Sequence, residues 1–188
     1  MKFILASNSP RRRQLLGEII TDFSVLPSTC DEKVEKALSP ELLAQTLAGQ
    51  KCDDVFLKNP DALVIGCDTI VVFEGEVLGK PKDEKDAEKT LKKLSGKTHS
   101  VITGVCVRYK DARICAYDES FVLFNDLDDD FIKGYIKGGS PMDKAGSYGI
   151  QDGGIAKAYR GSYNNIVGLP TELLKKIIDG IKNDKTCN

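Results

Sequence analysis

The 188-residue sequence contains one histidine, His99. A Ser-His-Asp hydrolytic centre would depend on it, yet no serine stands in the Gly-x-Ser-x-Gly setting that presents such a nucleophile. None of the six cysteines (Cys30, Cys52, Cys67, Cys106, Cys115 and Cys187) forms a Cys-x-x-Cys pair, which argues against a zinc site. No segment approaches the roughly 20 consecutive apolar residues of a membrane span. The apolar opening, Phe3 to Ala6, is too short for a signal-peptide core and runs into three arginines. The chain is therefore expected to be cytoplasmic, with its cysteines as free thiols. Neither sign of charge dominates. Lys and Arg number 27 against 28 Asp and Glu, for a net charge of -1, and no basic, aromatic-studded face suggests nucleic acid. Also missing are a Gly-x-x-x-x-Gly-Lys-[Ser/Thr] loop and a Gly-x-Gly-x-x-Gly opening a helix.

What is present is an ordinary globular composition, 41% hydrophobic and 29% charged, with enough length to bury a core in one domain or one domain with two lobes. Lys2 to Ala6 reads as a buried strand, and Ser9-Pro10 as the cap and first residue of a helix that turns Leu15, Leu16 and Ile19 inward. Phe23 to Leu26 is a short strand, followed by a loop from Pro27 to Lys33. Ser39-Pro40 opens a second helix, with Leu42, Leu43, Leu47 and Val55 near helical spacing. Ala62 to Cys67 reads as a strand buried on both faces, with Asp68-Thr69 at or near its end; Ile70 to Phe73 continues extended, and Glu74-Gly75-Glu76 is a hairpin turn into Val77-Leu78. Asp83 to Leu94 is a helix whose acidic start and basic end match the helix dipole. His99 to Tyr109 and Ile114 to Phe124 read as two long strands joined near Asp111, with His99 structural. Leu127 to Ile136 is a helix, 145–154 and 161–170 are loops, Ile155 to Tyr159 is a strand, and Thr171 caps a last helix to about Lys182. Early alternation of strand and helix, then long neighbouring strands, predicts an α/β fold with a mixed sheet.

The residues with chemical character begin at Arg11, Arg12 and Arg13. They fall in a first helical turn, where an exposed cation is unfavourable by about 0.3–1 kcal/mol. That conflict, with the free N–H groups of a helix start and the hydroxyls of Ser7 and Ser9, points to an anion pocket suited to phosphate. The alternative is that Ser9 only caps and the arginines are solvated, the reading preferred for Arg13. Asp68, after a buried strand, lies where open α/β sheets bind ligands and suits a general base or metal ligand; alone it would equally cap a turn. Glu32, beside Asp31, would supply a second carboxylate for Mg²⁺ against a polyphosphate, or be a solvated loop acid. Lys80 in Gly79-Lys80-Pro81 would neutralise phosphate or be a surface lysine, and Lys51 is a weaker candidate.

Taken in order, several stretches resemble the Maf family of nucleoside triphosphate pyrophosphatases. They are Leu5-Ala6-Ser7-Asn8-Ser9-Pro10-Arg11-Arg12, Asp31-Glu32, Gly66-Cys67-Asp68-Thr69 and Gly79-Lys80-Pro81. They continue with Leu94-Ser95-Gly96-Lys97-Thr98-His99, Asp143-Lys144-Ala145-Gly146-Ser147-Tyr148-Gly149-Ile150-Gln151, Gly161-Ser162-Tyr163 and Val167-Gly168-Leu169-Pro170. The resemblance implies an inosine-triphosphatase-like α/β fold: an elongated mixed sheet flanked by helices, two lobes with a cleft between them, and usually a homodimer. On this reading residues 1–182 form one domain and 183–188 a frayed tail.

The resemblance also implies hydrolysis of a nucleoside triphosphate to monophosphate and pyrophosphate, with Mg²⁺ or Mn²⁺. By position, Asp68 resembles the family's proton acceptor and Glu32 its metal-associated carboxylate. Ser7, Ser9, Arg12, Lys51 and Lys80 resemble its phosphate-contacting set. Arg11, Thr69 and Gln151 resemble the positions that select substrate, in the manner of the dTTP/UTP branch. An amide at Gln151 complements the mixed donor and acceptor edge of uracil or thymine. The rivals are the same chemistry on another base, and a nucleotide-binding regulator of septum formation that need not turn over. Two departures stand out: Cys67 replaces a small Ala or Ser beside the acid, which implies thiol sensitivity, and Asp152 replaces a Gly after Gln151.

Overall fold

The computed structural model describes residues 1–33 and 38–183. Strand β1 (Lys2–Leu5) is followed by helix α1 (Pro10–Gly17), started by Pro10 and capped by Ser9, whose Oγ accepts the Arg12 N–H at 3.4 Å. After β2 (Ser24–Val25), Ser39 and Pro40 start α2 (Pro40–Phe56) in the same way. Strand β3 (Ala62–Phe73) turns at Glu74 and Gly75, with φ of 51° and 79°, into β4 (Glu76–Leu78). Asp83 caps α3 (Glu84–Leu94), and β5 (Thr98–Tyr109) and β6 (Ala112–Phe124) follow. Asp128 caps α4 (Asp129–Lys137); β7 (Ala156–Arg160), α5 (Tyr163–Val167) and α6 (Thr171–Asn183) complete the chain. The segment from 140 to 152 holds three short 3₁₀ turns rather than an irregular loop. Of the expected tail, Asn183 is the last residue of α6, and 184–188 lie outside the described residues.

The sheet order is β2-β1-β3-β5-β6-β7, with β4 paired to β3. Strand β1 is parallel to β2 and β3, whereas β3–β4 and β6–β7 are antiparallel, so the sheet is mixed as the sequence predicts. The chain forms two compact units. One comprises Met1–Asp68, Thr103–Asp118 and the chain from Gly168; the other comprises Thr69–Ile102 and Glu119–Val167.

In the first unit α2 lies directly on the sheet. Its small residues Ala44, Ala48 and Cys52, spaced four apart, are fully buried. A Cβ on Gly66 of β3 would sit 2.3 Å from the Ala48 carbonyl oxygen, and one on Gly104 of β5 would sit 2.2 Å from that of Ala44. Only glycine at both positions allows this approach. Leu42, near helical spacing with Leu43 and Leu47, is 48% exposed, because the buried stripe of α2 runs through those small residues.

The expectation of free thiols fails for one pair: Cys106 and Cys115 form a disulfide, with Cα atoms 4.1 Å apart. They sit on β5 and β6, symmetrically about the turn at Lys110 and Asp111, and only strand register brings them opposite each other. Among the described residues Cys30, Cys52 and Cys67 are free.

The second unit buries Phe73, Leu91, Leu94, Val122, Phe124, Ile132 and Ile155. His99 belongs to this core. Its ring meets Phe124 and Tyr148 edge-on, at centroid distances of 4.8 and 5.3 Å, and its Nε2 lies 2.8 Å from the Tyr148 hydroxyl. The expected loop from 161 to 170 contains α5, anchored by the buried Asn165, whose Nδ2 donates to the Val101 carbonyl and Ser120 Oγ, each at 3.0 Å.

Two outcomes follow from this packing. Gly104→Ala forces a methyl into helix backbone that has nowhere to retreat, so denaturant unfolding should show a loss of about 1–3 kcal/mol. Burial pushes His99 down to about 4 from its ordinary 6.5. The folded state thus keeps His99 neutral where the unfolded chain takes up a proton, so stability is intact above pH 6.5 and falls as pH drops toward 4. The drop approaches about 3 kcal/mol. Denaturant midpoints across that window should show the slope, and His99→Gln should flatten it.

Candidate active site

In the first unit, β1 ends at Leu5 beside Ile65 of β3, and the Ala6 N–H still donates to the Ile65 carbonyl at 2.8 Å. The chain then leaves the sheet through Ser7 and Asn8 to enter α1. Beyond that point β3 continues without β1 at its side, and Asp68 comes next but two after Ile65. The sequence places Asp68 at or near the end of the apolar run with Ile70 to Phe73 continuing extended, and the structure joins both into β3, so Asp68 lies inside that strand. It is the neighbouring strand that ends here, so Asp68 still stands past a carboxyl end of the sheet.

Ser7 is buried, and its Oγ accepts from the Ser9 N–H at 3.2 Å and from Arg12 Nη1 at 3.3 Å. With both lone pairs engaged, the Ser7 hydroxyl has only its hydrogen left to offer, and Ser9, whose oxygen caps α1, is likewise able to donate. Arg12 is braced by Nε donating to the Gly168 carbonyl at 2.8 Å. Arg11 and Arg12 are half-buried and Arg13 is exposed, matching the division the sequence suggests. The first turn of α1 carries no acid.

Lys51 projects from α2 to the two candidate carboxylates. Its Nζ donates in a short hydrogen bond to Asp68 Oδ1 and lies 3.0 Å from Glu32 Oε1. One ammonium thus bridges two carboxylates, leaving one negative charge in excess. Arg12, Lys51 and Asp68 all act electrostatically on the Cys67 thiol, so the helix start and the Lys51–Asp68 pair lie within electrostatic range of one residue of the first unit.

The loop bearing Glu32 is tied to α2 by residues the sequence does not single out. Asp54 Oδ2 accepts from the Ser28 hydroxyl at 2.9 Å and the Thr29 N–H at 2.8 Å. The Thr29 N–H, then Lys58 and Ser28, hold the Asp54 carboxyl down to about 2. Gln50 makes a two-point pair with Lys33, Nε2 donating to its carbonyl at 2.8 Å and Oε1 accepting its N–H at 3.1 Å. Nothing in the residue types marks Gln50, Asp54 or the Gly168 carbonyl; only their placement does.

Thr69, Lys80 and Gln151 belong to the second unit. Thr69 follows Asp68 in β3. Lys80 is exposed after β4, and the Gly79 carbonyl next to it accepts the Gly146 N–H at 3.1 Å, which joins the Gly-Lys-Pro loop to the 145–147 turn. Gly146 has φ 69°, and a Cβ there would lie 2.8 Å from Val71 Cγ2. Gln151 is exposed in the 150–152 turn. Asp152 beside it accepts short hydrogen bonds from the Tyr135 and Ser140 hydroxyls, so this departure from the family pattern is integrated into the turn. Among the described residues no cluster of three or more His, Cys, Asp or Glu forms a metal cage, and no helix is long and apolar enough to cross a membrane.

In fold the chain is an α/β protein of the inosine-triphosphatase-like class. The solved structure of the Staphylococcus aureus Ham1 protein superimposes with a TM-score of 0.56 at 16% identity, over 96% of this chain and 99% of that one. The sequence model of the family described as Maf-like protein matches residues 2–181, and the chain belongs to that family. A relative from Aquifex aeolicus (strain VF5), named dTTP/UTP pyrophosphatase, is 45% identical over 95% of this chain and 94% of its own length. A relative of the same name from Ruminiclostridium cellulolyticum is 46% identical over 97% and 96%. One from Thermococcus gammatolerans, also so named, is 44% identical over 93% and 94%.

The expected thiol sensitivity of Cys67 is corrected. The side chain is fully buried, and burial pushes its thiol up to about 11, the negative charge of Asp68 adding to the rise and Arg12 opposing it. A thiolate is the reactive form, so Cys67 should be inert at neutral pH. Peptide mapping after brief treatment with iodoacetamide should find Cys67 unmodified in the folded chain and alkylated in denaturant; labelling at the same rate in both would contradict this.

Proposed function

We propose that this Maf-like protein is a nucleoside triphosphate pyrophosphatase that converts dTTP and UTP to the monophosphate and pyrophosphate. The names of relatives near 45% identity support the substrate and reaction class. The observation that carries the chemistry is the bridge of Lys51 between Asp68 and Glu32, in the same unit as the Ser7, Ser9 and Arg12 donors.

A divalent cation fits this donor set. The Lys51 ammonium sits where two hard carboxylate oxygens converge, which marks a point that favours positive charge, and oxygen donors suit Mg²⁺ or Mn²⁺. The protein offers two carboxylates rather than a full cage, which suits an ion shared with substrate phosphates. Glu32 and Asp68 would hold it, and when bound it supplies neutralising charge to the triphosphate.

The chain's own residues perform the remaining work. Ser7, Ser9 and Arg12 donate to phosphate oxygens at the positive start of α1, whose own first turn carries no acidic residue. With substrate present, Lys51 turns from its carboxylates toward phosphate. Asp68 takes a proton from the water whose oxygen attacks the α-phosphorus. The bond from that phosphorus to the oxygen bridging toward the β-phosphate breaks, and pyrophosphate departs with the bonding electrons. Catalysis of this kind is positioning and electrostatics. For Arg11, Thr69 and Gln151 in substrate choice, and for Lys80 on phosphate, the proposal rests on motif position; the exposed Gln151 amide has both a donor and an acceptor for a pyrimidine edge.

The experiment is a panel of triphosphates with Mg²⁺ or Mn²⁺ and identification of both products. Pyrophosphate with dTMP or UMP is the expected outcome; inorganic phosphate with a diphosphate overturns the reaction class. Asp68→Asn should lower kcat by about 10²–10⁴-fold while the thermal midpoint stays near that of the parent. Full turnover in that variant removes Asp68 as the proton acceptor.

A further inference from the structure

Glu32 has an exposed position on a loop, yet its carboxylate meets Lys51 at 3.0 Å. Something other than burial must hold it there. The loop is fastened on both sides of Glu32. Before it, Asp54 takes the Ser28 hydroxyl and the Thr29 N–H. Ser28 Oγ in turn accepts the Cys30 N–H at 3.2 Å, which continues the constraint toward Glu32. After it, the Gln50 amide pairs with both backbone groups of Lys33, at 2.8 and 3.1 Å. Both anchors come from α2 and stand one turn apart on the same face, and Lys51 follows Gln50 directly. The helix that carries the cation thus also carries the clamp for its carboxylate partner.

We propose that Gln50 and Asp54 are positioning residues that hold Glu32 against Lys51 and Asp68, and so set the affinity of the site for its divalent cation. The proposal rests on the reading of Glu32 as a metal-side carboxylate. The two anchors divide the task. The Asp54 carboxylate, an acceptor only, fixes the entry of the loop through an N–H and a hydroxyl. The Gln50 amide, donor and acceptor together, fixes its exit with two bonds that also orient the Lys33 peptide plane. An unclamped loop leaves the Glu32 carboxylate to sample solvent. The cation site then loses a preplaced oxygen, and the ordering cost falls on the binding step. Neither Gln50 nor Asp54 touches the reacting atoms, so their effect should pass through the metal and leave the chemical step intact at saturation.

The test uses the full chain with Mn²⁺ alone, following free Mn²⁺ by electron paramagnetic resonance, alongside dTTP turnover at varied Mn²⁺. In Gln50→Ala combined with Asp54→Asn, half-saturation by Mn²⁺ should rise about tenfold, the scale seen when partners of metal ligands are removed. Turnover should be recovered at excess Mn²⁺. Gln50→Glu keeps the acceptor for the Lys33 N–H but loses the donor to its carbonyl, so it should give a smaller rise at an unchanged thermal midpoint, and it decides the matter if the double variant folds poorly. Glu32→Gln separates the two readings. If it weakens Mn²⁺ binding while Gln50→Glu and the folded double variant do not, the positioning role is overturned and the reading of Glu32 stands. If Glu32→Gln leaves Mn²⁺ binding unchanged, the reading of Glu32 fails and the clamp falls with it.

Discussion

The close seat of α2 on the sheet is the constraint on which the rest of the first unit depends. Two glycines on neighbouring strands, Gly66 and Gly104, lie under the backbone of that helix, with Ala44, Ala48 and Cys52 facing them. Packed interiors tolerate little change of volume, and here the contact involves helix carbonyls that cannot rotate aside. The same helix presents Lys51 to Asp68 and Glu32, and Gln50 and Asp54 to the loop carrying Glu32. A shift of a few tenths of an ångström in α2 would move all of these together. Gly66 is also two residues before Asp68 in β3, so the residue that admits the helix and the residue the helix addresses share one strand.

Charge is arranged against local preference at two places. The first turn of α1 has arginines where acids are favoured, and Arg12 donates to the Gly168 carbonyl and to the Ser7 hydroxyl. Asp68 and Glu32 share a single ammonium. Arg12, Lys51 and Asp68 all bear electrostatically on the buried Cys67. A helix start favours an anion, and a pair of carboxylates favours a cation. A magnesium triphosphate, anionic along its phosphates and cationic at its metal, is the kind of ligand that satisfies both. By contrast α3, with Glu84 and Asp86 at its start and Lys92 and Lys93 at its end, obeys the dipole throughout and has no part in the chemistry proposed.

Local chemistry made much of the fold legible. Serine followed by proline at Ser9 and Ser39 marks two helix starts, because an oxygen cap and a fixed φ act within four residues. The Glu74-Gly75 hairpin and the dipole-matched α3 are local for the same reason. What escaped is set by distance in sequence. The exposure of Leu42 and the pairing of Cys106 with Cys115 depend on which segment lies alongside. The helix α5 depends on Asn165 finding Val101 and Ser120, a partnership with no signature in its own five residues.

The sequence by itself determined the family, the mixed α/β class and the types of group available for chemistry, because motif order and capping patterns are written in neighbouring residues. It named Ser7, Ser9, Arg12, Glu32, Lys51 and Asp68 without showing that they meet. Tertiary structure alone decided that Lys51, weakest of the candidates in sequence, stands between the two carboxylates, and that Cys67 is shielded rather than reactive. It also decided that the loop carrying Glu32 is tied to α2 by a glutamine and an aspartate of ordinary appearance. The physical reason is common to all three. Hydrogen-bond partners, burial and charge neighbours are properties of the space around a side chain, and that space is filled by residues far away along the chain.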